Sequence, residues 1–134
     1  MDVFDGFIGA IATEFKMQFH KTKDGCYTTT VYFDNDRTQE VLITLAFDEA
    51  GDRLINYYSI IAQLKSDFGE LFKFALKVNA SLDYGAIALM ENSLILRDSI
   101  LLEACDPHRF MKALTYIAAK ADELEEMLIE KDKF

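Results

Sequence analysis

Asp106-Pro107-His108-Arg109-Phe110 opens the stretch that decides the fold, because Phe110, Leu114, Ile117, Ala121, Leu124 and Leu128 then recur at alternating intervals of four and three residues. That spacing lines six apolar side chains along one seam of a helix. Asp-Pro supplies its start: an aspartate at the N-cap accepts from the first free N–H groups, and a proline, with its φ preset and no N–H, suits the first helical position. The chain therefore closes on a long amphipathic helix, and the residues upstream must offer that seam a surface to cover.

Working back to the start, Phe4, Phe7, Ile8, Ile11 and Phe15 fall on one helical face and predict an amphipathic helix over about residues 2–19, ended by Lys21-Thr22-Lys23-Asp24-Gly25. From Cys26 the period changes to two. Tyr27, Thr29, Val31 and Phe33 alternate with Thr28, Thr30 and Tyr32, which predicts a strand. Asp34-Asn35-Asp36-Arg37 has turn chemistry, and Val41, Ile43, Leu45 and Phe47 supply a second strand. After Ala50-Gly51-Asp52, a third strand runs from Leu54 to Ala62 with Ile55, Tyr57, Ser59 and Ile61 facing one way. Three strands joined by short turns predict an antiparallel meander.

A second helix is expected from Ser66-Asp67, with Asp67 and Glu70 as a capping-box variant, to about Asn79. Its apolar residues, Phe68, Leu71, Phe72, Phe74, Ala75, Leu76 and Val78, cover an arc of roughly 200°, about twice what a surface helix needs. Such a helix is buried on two sides. Phe68, Leu71, Phe72, Phe74 and Val78 are therefore assigned to a homodimer interface, the alternative being a helix sunk deep in one core. A hairpin follows, from Leu82–Met90 through Glu91-Asn92-Ser93 into Leu94–Leu102, where Arg97-Asp98-Ser99 suggests a bulge, an edge or a short break. The expectation is an α+β fold in one domain, 1–134, with an antiparallel sheet of about five strands, three helices and the order α-β-β-β-α-β-β-α.

Composition narrows the function. With 134 residues, 51% of them hydrophobic, the chain is long enough to bury one sizeable core. Its 23 acidic against 14 basic residues give a net charge of −9, which repels phosphate backbones and acidic membrane surfaces and argues against nucleic-acid or membrane partners. Asp122, Glu123, Glu125, Glu126, Glu130 and Asp132 crowd the last helix, either as a solvated face or as an attraction for a basic partner. Cys26 and Cys105 form no C-x-x-C motif or disulfide framework, which fits a reducing, cytoplasmic setting. Acids near Met1 do not suit a signal peptide, and no apolar run is long enough for a membrane span.

No catalytic or cofactor-binding constellation is found. His20 and His108 have no second histidine or cysteine three or four residues further along the chain, so no metal site is assigned. Asp34-x-Asp36-x-Thr38 copies the start of a calcium loop, but Gln39 stands where the loop needs glycine and Leu45 where it needs glutamate. Cys26 and His20 lie at a strand start and a helix end, which need not converge, and there is no nucleophile elbow, P-loop or dinucleotide fingerprint. The chain reads as a non-enzyme.

The element order, together with Phe72-Lys73-Phe74-Ala75-Leu76-Lys77-Val78-Asn79 leading into Gly85-Ala86-Ile87-Ala88-Leu89 and Ser93-Leu94-Ile95-Leu96, resembles the class I type III secretion chaperones. It is more similar still to their broader relatives, the YbjN-like domains, in which an asparagine follows the middle helix and a glycine opens the next hairpin. Arg37-Thr38-Gln39-Glu40-Val41, leading into the second strand, also resembles the YbjN-type pattern. The resemblance implies a helix-grasp-like α+β fold, usually homodimeric, that binds proteins and lacks a catalytic site.

Three functions remain open. A homodimer holding a partly unfolded client would use apolar grooves on the first helix, at Phe4, Phe7, Ile8, Ile11 and Phe15, and an open sheet edge. A YbjN-like accessory or regulatory domain would recognise a folded partner. A small-ligand carrier would need a pocket between sheet and helices, with Tyr57, Tyr58 and Arg97 as its polar groups.

Overall fold

Alternation in the chain becomes a sheet of six strands, one more than expected, with all neighbours antiparallel and the order β1-β2-β3-β4-β6-β5. The computed structural model describes residues 2–64 and 69–130, without the side chains of 129 and 130. The elements are α1 (Val3–Phe15), β1 (Phe19–Lys23), β2 (Cys26–Tyr32), β3 (Thr38–Phe47), β4 (Arg53–Gln63), α2 (Gly69–Asn79), β5 (Ala86–Met90), β6 (Ser93–Leu101), a 3-10 turn at Leu102–Ala104, and α3 (Pro107–Glu130). The expected start of the second helix at Ser66-Asp67 lies outside the described residues.

The extra strand is β1. The first helix is four residues shorter at its end than expected, because Lys16 adopts a left-handed conformation (φ 55°) and returns the Met17 N–H to the Ala12 carbonyl. The chain then pairs Phe19, His20 and Lys21 with Thr29, Thr28 and Tyr27. Only Phe19 is apolar in this stretch, and as an edge strand β1 has no need of more.

Side-chain alternation divides the sheet into two faces. Tyr27, Ile43, Tyr57 and Asp98 stand in one row on the inner face, and Val41, Ile55, Leu94 and Leu96 join them in the core. Phe110, Leu114, Ile117, Ala121, Leu124 and Leu128 of α3 cover this face and are 0–7% exposed, so the seam read from the sequence is the seam that packs. Asp106 caps it, accepting the Arg109 N–H at 2.8 Å. α1 lies beside α3 and reaches the sheet through Phe4, whose ring meets Tyr27 edge-on at 5.6 Å. α2 lies at the β5 end of the same face and sends Leu71 and Ala75 into the core.

Arg97-Asp98-Ser99 produces no break. β6 is continuous, with Arg97 outward and Asp98 inward, where it accepts the Tyr57 hydroxyl at 2.8 Å. The irregularity is in the partner strand instead, at Ile61 between Ile60 and Ala62. Near it β3 and β4 part beyond Leu42 and Tyr58, and side chains bridge the gap: the Gln39 amide donates to the Ile60 carbonyl at 2.8 Å and the Ser59 hydroxyl to the Glu40 carbonyl at 2.7 Å. At this same end of β3, just before Thr38, Arg37 grips Asp122 of α3 at 2.9 Å. Thus one of the acids expected on a solvated face is 8% exposed and ion-paired. Among the described residues no helix is long and apolar enough to cross a membrane.

Candidate protein-binding surfaces

The face of α1 that the sequence nominates for a client is largely turned inward. Phe4, Ile8 and Ile11 are 0–2% exposed and form part of the chain's own core. Phe7 and Phe15 are half-buried, Phe7 against Phe110 with ring centroids 5.7 Å apart and Phe15 against His108 at 5.2 Å. A client meeting α1 in this fold reaches the outer edges of those two rings. Asp5 ties the helix down, accepting the Tyr27 hydroxyl at 2.6 Å and pairing with Lys21 at 3.3 Å. The Tyr27 bond, foremost, holds the Asp5 carboxyl below its ordinary range.

More accessible is a concavity of about 570 Å³ where the end of α1 turns into β1, lined by Lys16, Met17, His20, Val31, Tyr32 and Thr115 among others. Tyr32 is 77% exposed there. Lys16 and His20, with Lys23 along the neighbouring edge, give this corner of an acidic chain its basic groups, while Lys21 is taken up by Asp5 and Asp24. Both apolar and cationic groups are available to an extended segment. Sequence reading missed this site, since its residues come from three elements whose meeting depends on the unpredicted β1.

A second groove, of about 210 Å³, lies between α2 and β5 and is lined by Phe72, Ala75, Leu76, Ile87, Leu89 and Leu94 among others. Leu76 and Leu89 beside it are 71% and 55% exposed. Of the residues assigned to a dimer interface, Phe68 lies outside the described residues, Leu71 is 2% exposed within the chain's own core, and Phe72, Phe74 and Val78 are half-buried. The two-sided apolar arc is thus divided between the core and a narrower strip around Leu76.

β5 is also a sheet edge, and its sequence, Ala86-Ile87-Ala88-Leu89-Met90, has neither charge nor proline to discourage pairing. Asn79 partly closes it. Its side chain accepts the Ile87 N–H at 2.6 Å and donates to the Ile87 carbonyl at 3.3 Å, standing in for one rung of an adjoining strand. By the alternation of an antiparallel ladder, Leu89 presents its N–H and C=O at the same edge. Asn79→Ala leaves the Ile87 pair without this partner, and the fold should lose about 1–3 kcal/mol. Urea denaturation measures that loss, and amide exchange should show faster exchange at Ile87. An unchanged Ile87 exchange rate would mean that the Asn79 bonds do not guard the edge.

The polar groups nominated for a ligand pocket are separated by the sheet. Tyr57 is 1% exposed on the inner face, where burial and then the Asp98 bond push its hydroxyl far above the ordinary tyrosine range. Tyr58 and Arg97 stand side by side on the opposite face. The Cys105 thiol is pushed up to about 11, chiefly by burial and further by Asp106, which leaves it protonated at neutral pH. Among the described residues no group of three histidine, cysteine or carboxylate side chains converges as a metal site would require.

No family model matches the sequence, and no curated protein matches it either. The solved structures do contain a counterpart. A chain from the structure of the HopA1–SchA chaperone–effector complex matches with a TM-score of 0.62 at 13% identity, over 92% of this chain and 93% of that one. This chain therefore has an α+β fold, of three helices and a six-stranded antiparallel sheet, similar to a chain of a chaperone–effector complex.

Proposed function

We propose that this chain is a non-enzymatic protein-binding domain that works as a homodimer and holds a segment of a client protein. The observation that carries the reading is the likeness in fold to a chain of the HopA1–SchA chaperone–effector complex over nearly the full length of both. Two features of this chain support it. Apolar side chains stay open to a partner in two places, Tyr32 at the concavity and Leu76 and Leu89 at the groove between α2 and β5. The concavity beside β1 joins an edge strand to apolar and basic side chains, the combination that captures an extended segment by strand addition. The net charge of −9 would keep a complex with an apolar segment dispersed.

The test is to recover the tagged chain from its native cells, wash at high salt, and compare proteolysis of the co-purified protein alone and in the complex. One continuous segment of the partner should be protected only in the complex. Tyr32→Asp, at the concavity and away from the buried core, should reduce recovery at least about tenfold. A partner digested identically in both states would favour a regulatory domain of the YbjN-like kind that recognises a folded protein. Recovery of the chain alone would count against a client.

A further inference from the structure

The six-stranded sheet has one face beneath the helices and one that no helix covers among the described residues. The uncovered face is unlike the rest of this highly charged chain. Along the outward positions of β2, β3, β4, β6 and β5, the only charged residues are Glu40 on β3 and Arg97 on β6. Between them the face is apolar: Leu42, Tyr58, Ile60 and Ile95 adjoin one another across β3, β4 and β6. Ile95 is only 4% exposed although it faces away from the core, and burial raises the Tyr58 hydroxyl above its ordinary range.

The two charges have opposite signs, and among the described residues neither forms an ion pair. The Arg97 guanidinium donates to neutral groups, the Ser99 hydroxyl at 3.0 Å and the Asn56 side-chain amide oxygen at 3.4 Å. Glu40 is exposed at the margin of the gap between β3 and β4. Leu42, Tyr58 and Arg97 form one row across the sheet, and Glu40 lies two residues along β3 from Leu42. Glu40 and Arg97 therefore flank β4 on opposite sides, with Tyr58 and Ile60 between them.

From this placement we infer that the uncovered face is where two copies of the chain meet, sheet against sheet, with Glu40 of each copy paired to Arg97 of the other. An isologous contact requires that residue i meet j and that j meet i. A twofold axis over β4, between Tyr58 and Ile60, satisfies that condition for the charges and sets Tyr58 and Ile60 near their own counterparts. Opposite charges flanking an apolar centre also favour a second copy over a strongly acidic or basic partner, since the two charges on the strands cancel; the one further acid near them is Glu125 of α3, which lines the hollow beside Glu40. The inference rests on the homodimer of the proposed function but moves the contact from α2 to the sheet.

Sedimentation velocity over a wide range of concentration tests it, with thermal melting to confirm folding. The wild-type chain should sediment as a dimer. Glu40→Arg and Arg97→Glu should each weaken the dimer at least about tenfold by setting like charges opposite each other. The double variant, carrying the same two charges exchanged, should restore it. Leu76→Asp, in the α2 groove, should leave the dimer intact. A dimer indifferent to both charge reversals but lost in Leu76→Asp would overturn the sheet contact and place the interface at α2. A wild-type chain that stays monomeric would overturn the homodimer reading itself and leave this face for a different protein.

Discussion

Replacing Gly85 by alanine is expected to destabilise the fold by roughly 2–5 kcal/mol, the sum of a left-handed backbone penalty and an overpacked contact. Gly85 has φ +74°, and a Cβ placed on it would lie 2.5 Å from the Arg97 carbonyl oxygen and 2.8 Å from Cδ1 of Ile117. The isoleucine side chain has some freedom to move. The carbonyl has little, because it belongs to β6, which is hydrogen-bonded between β4 and β5. The glycine thus allows the chain to enter β5 close against both β6 and α3. Chemical denaturation gives the measurement, with Gly9→Ala as its counterpart: Gly9 is in α1 with nothing within 4 Å of the added carbon, and alanine there should stabilise by about 0.4–1 kcal/mol. A Gly85→Ala variant as stable as wild type would contradict the close approach.

The second large effect is expected at Phe110, where truncation to alanine should cost about 3–5 kcal/mol. The ring is 0% exposed and meets Tyr57 edge-on at 5.2 Å and Phe7 at 5.7 Å. It joins three elements, since Tyr57 is in β4, Phe7 in α1 and Phe110 in the first turns of α3. Its loss opens a cavity and also removes a principal anchor of α1, so α1 should become susceptible to limited proteolysis before the sheet does. Phe110→Leu retains much of the volume and should cost less than half as much. Equal losses for the two variants would show that the aromatic contacts, and not the filled volume, determine the effect.

How much of this was legible can be judged from single elements. The final helix was read almost completely, because its seam repeats over six positions and a helix that long has few other ways to bury such a repeat. The meander was legible for the same reason: in β3 and β4 the buried residues alternate as the sequence does. β1 was not, because an edge strand with one apolar residue carries little period-two signal and Lys16 carries no residue-type cue for a left-handed helix end. The Asp98 position was misjudged because the aspartate faces inward to the Tyr57 hydroxyl, a partner 41 residues away in sequence.

The candidate surfaces follow the same division. Apolar period by itself determined which residues of α1, α2 and α3 share a face, and composition determined that the chain is acidic; both are local properties, written in spacing and residue type. Whether a face is spent on the chain's own core or left for a partner depends on what packs above it, so only the tertiary structure decided that Phe4, Ile8, Ile11 and Leu71 are core while Leu76 and Leu89 are open. It also decided that all three helices pack on one side of the sheet, which among the described residues leaves Glu40 and Arg97 as the only charges on the outward positions of β2 to β6. That outcome arises from contacts between residues far apart in the chain, and no local pattern specifies them.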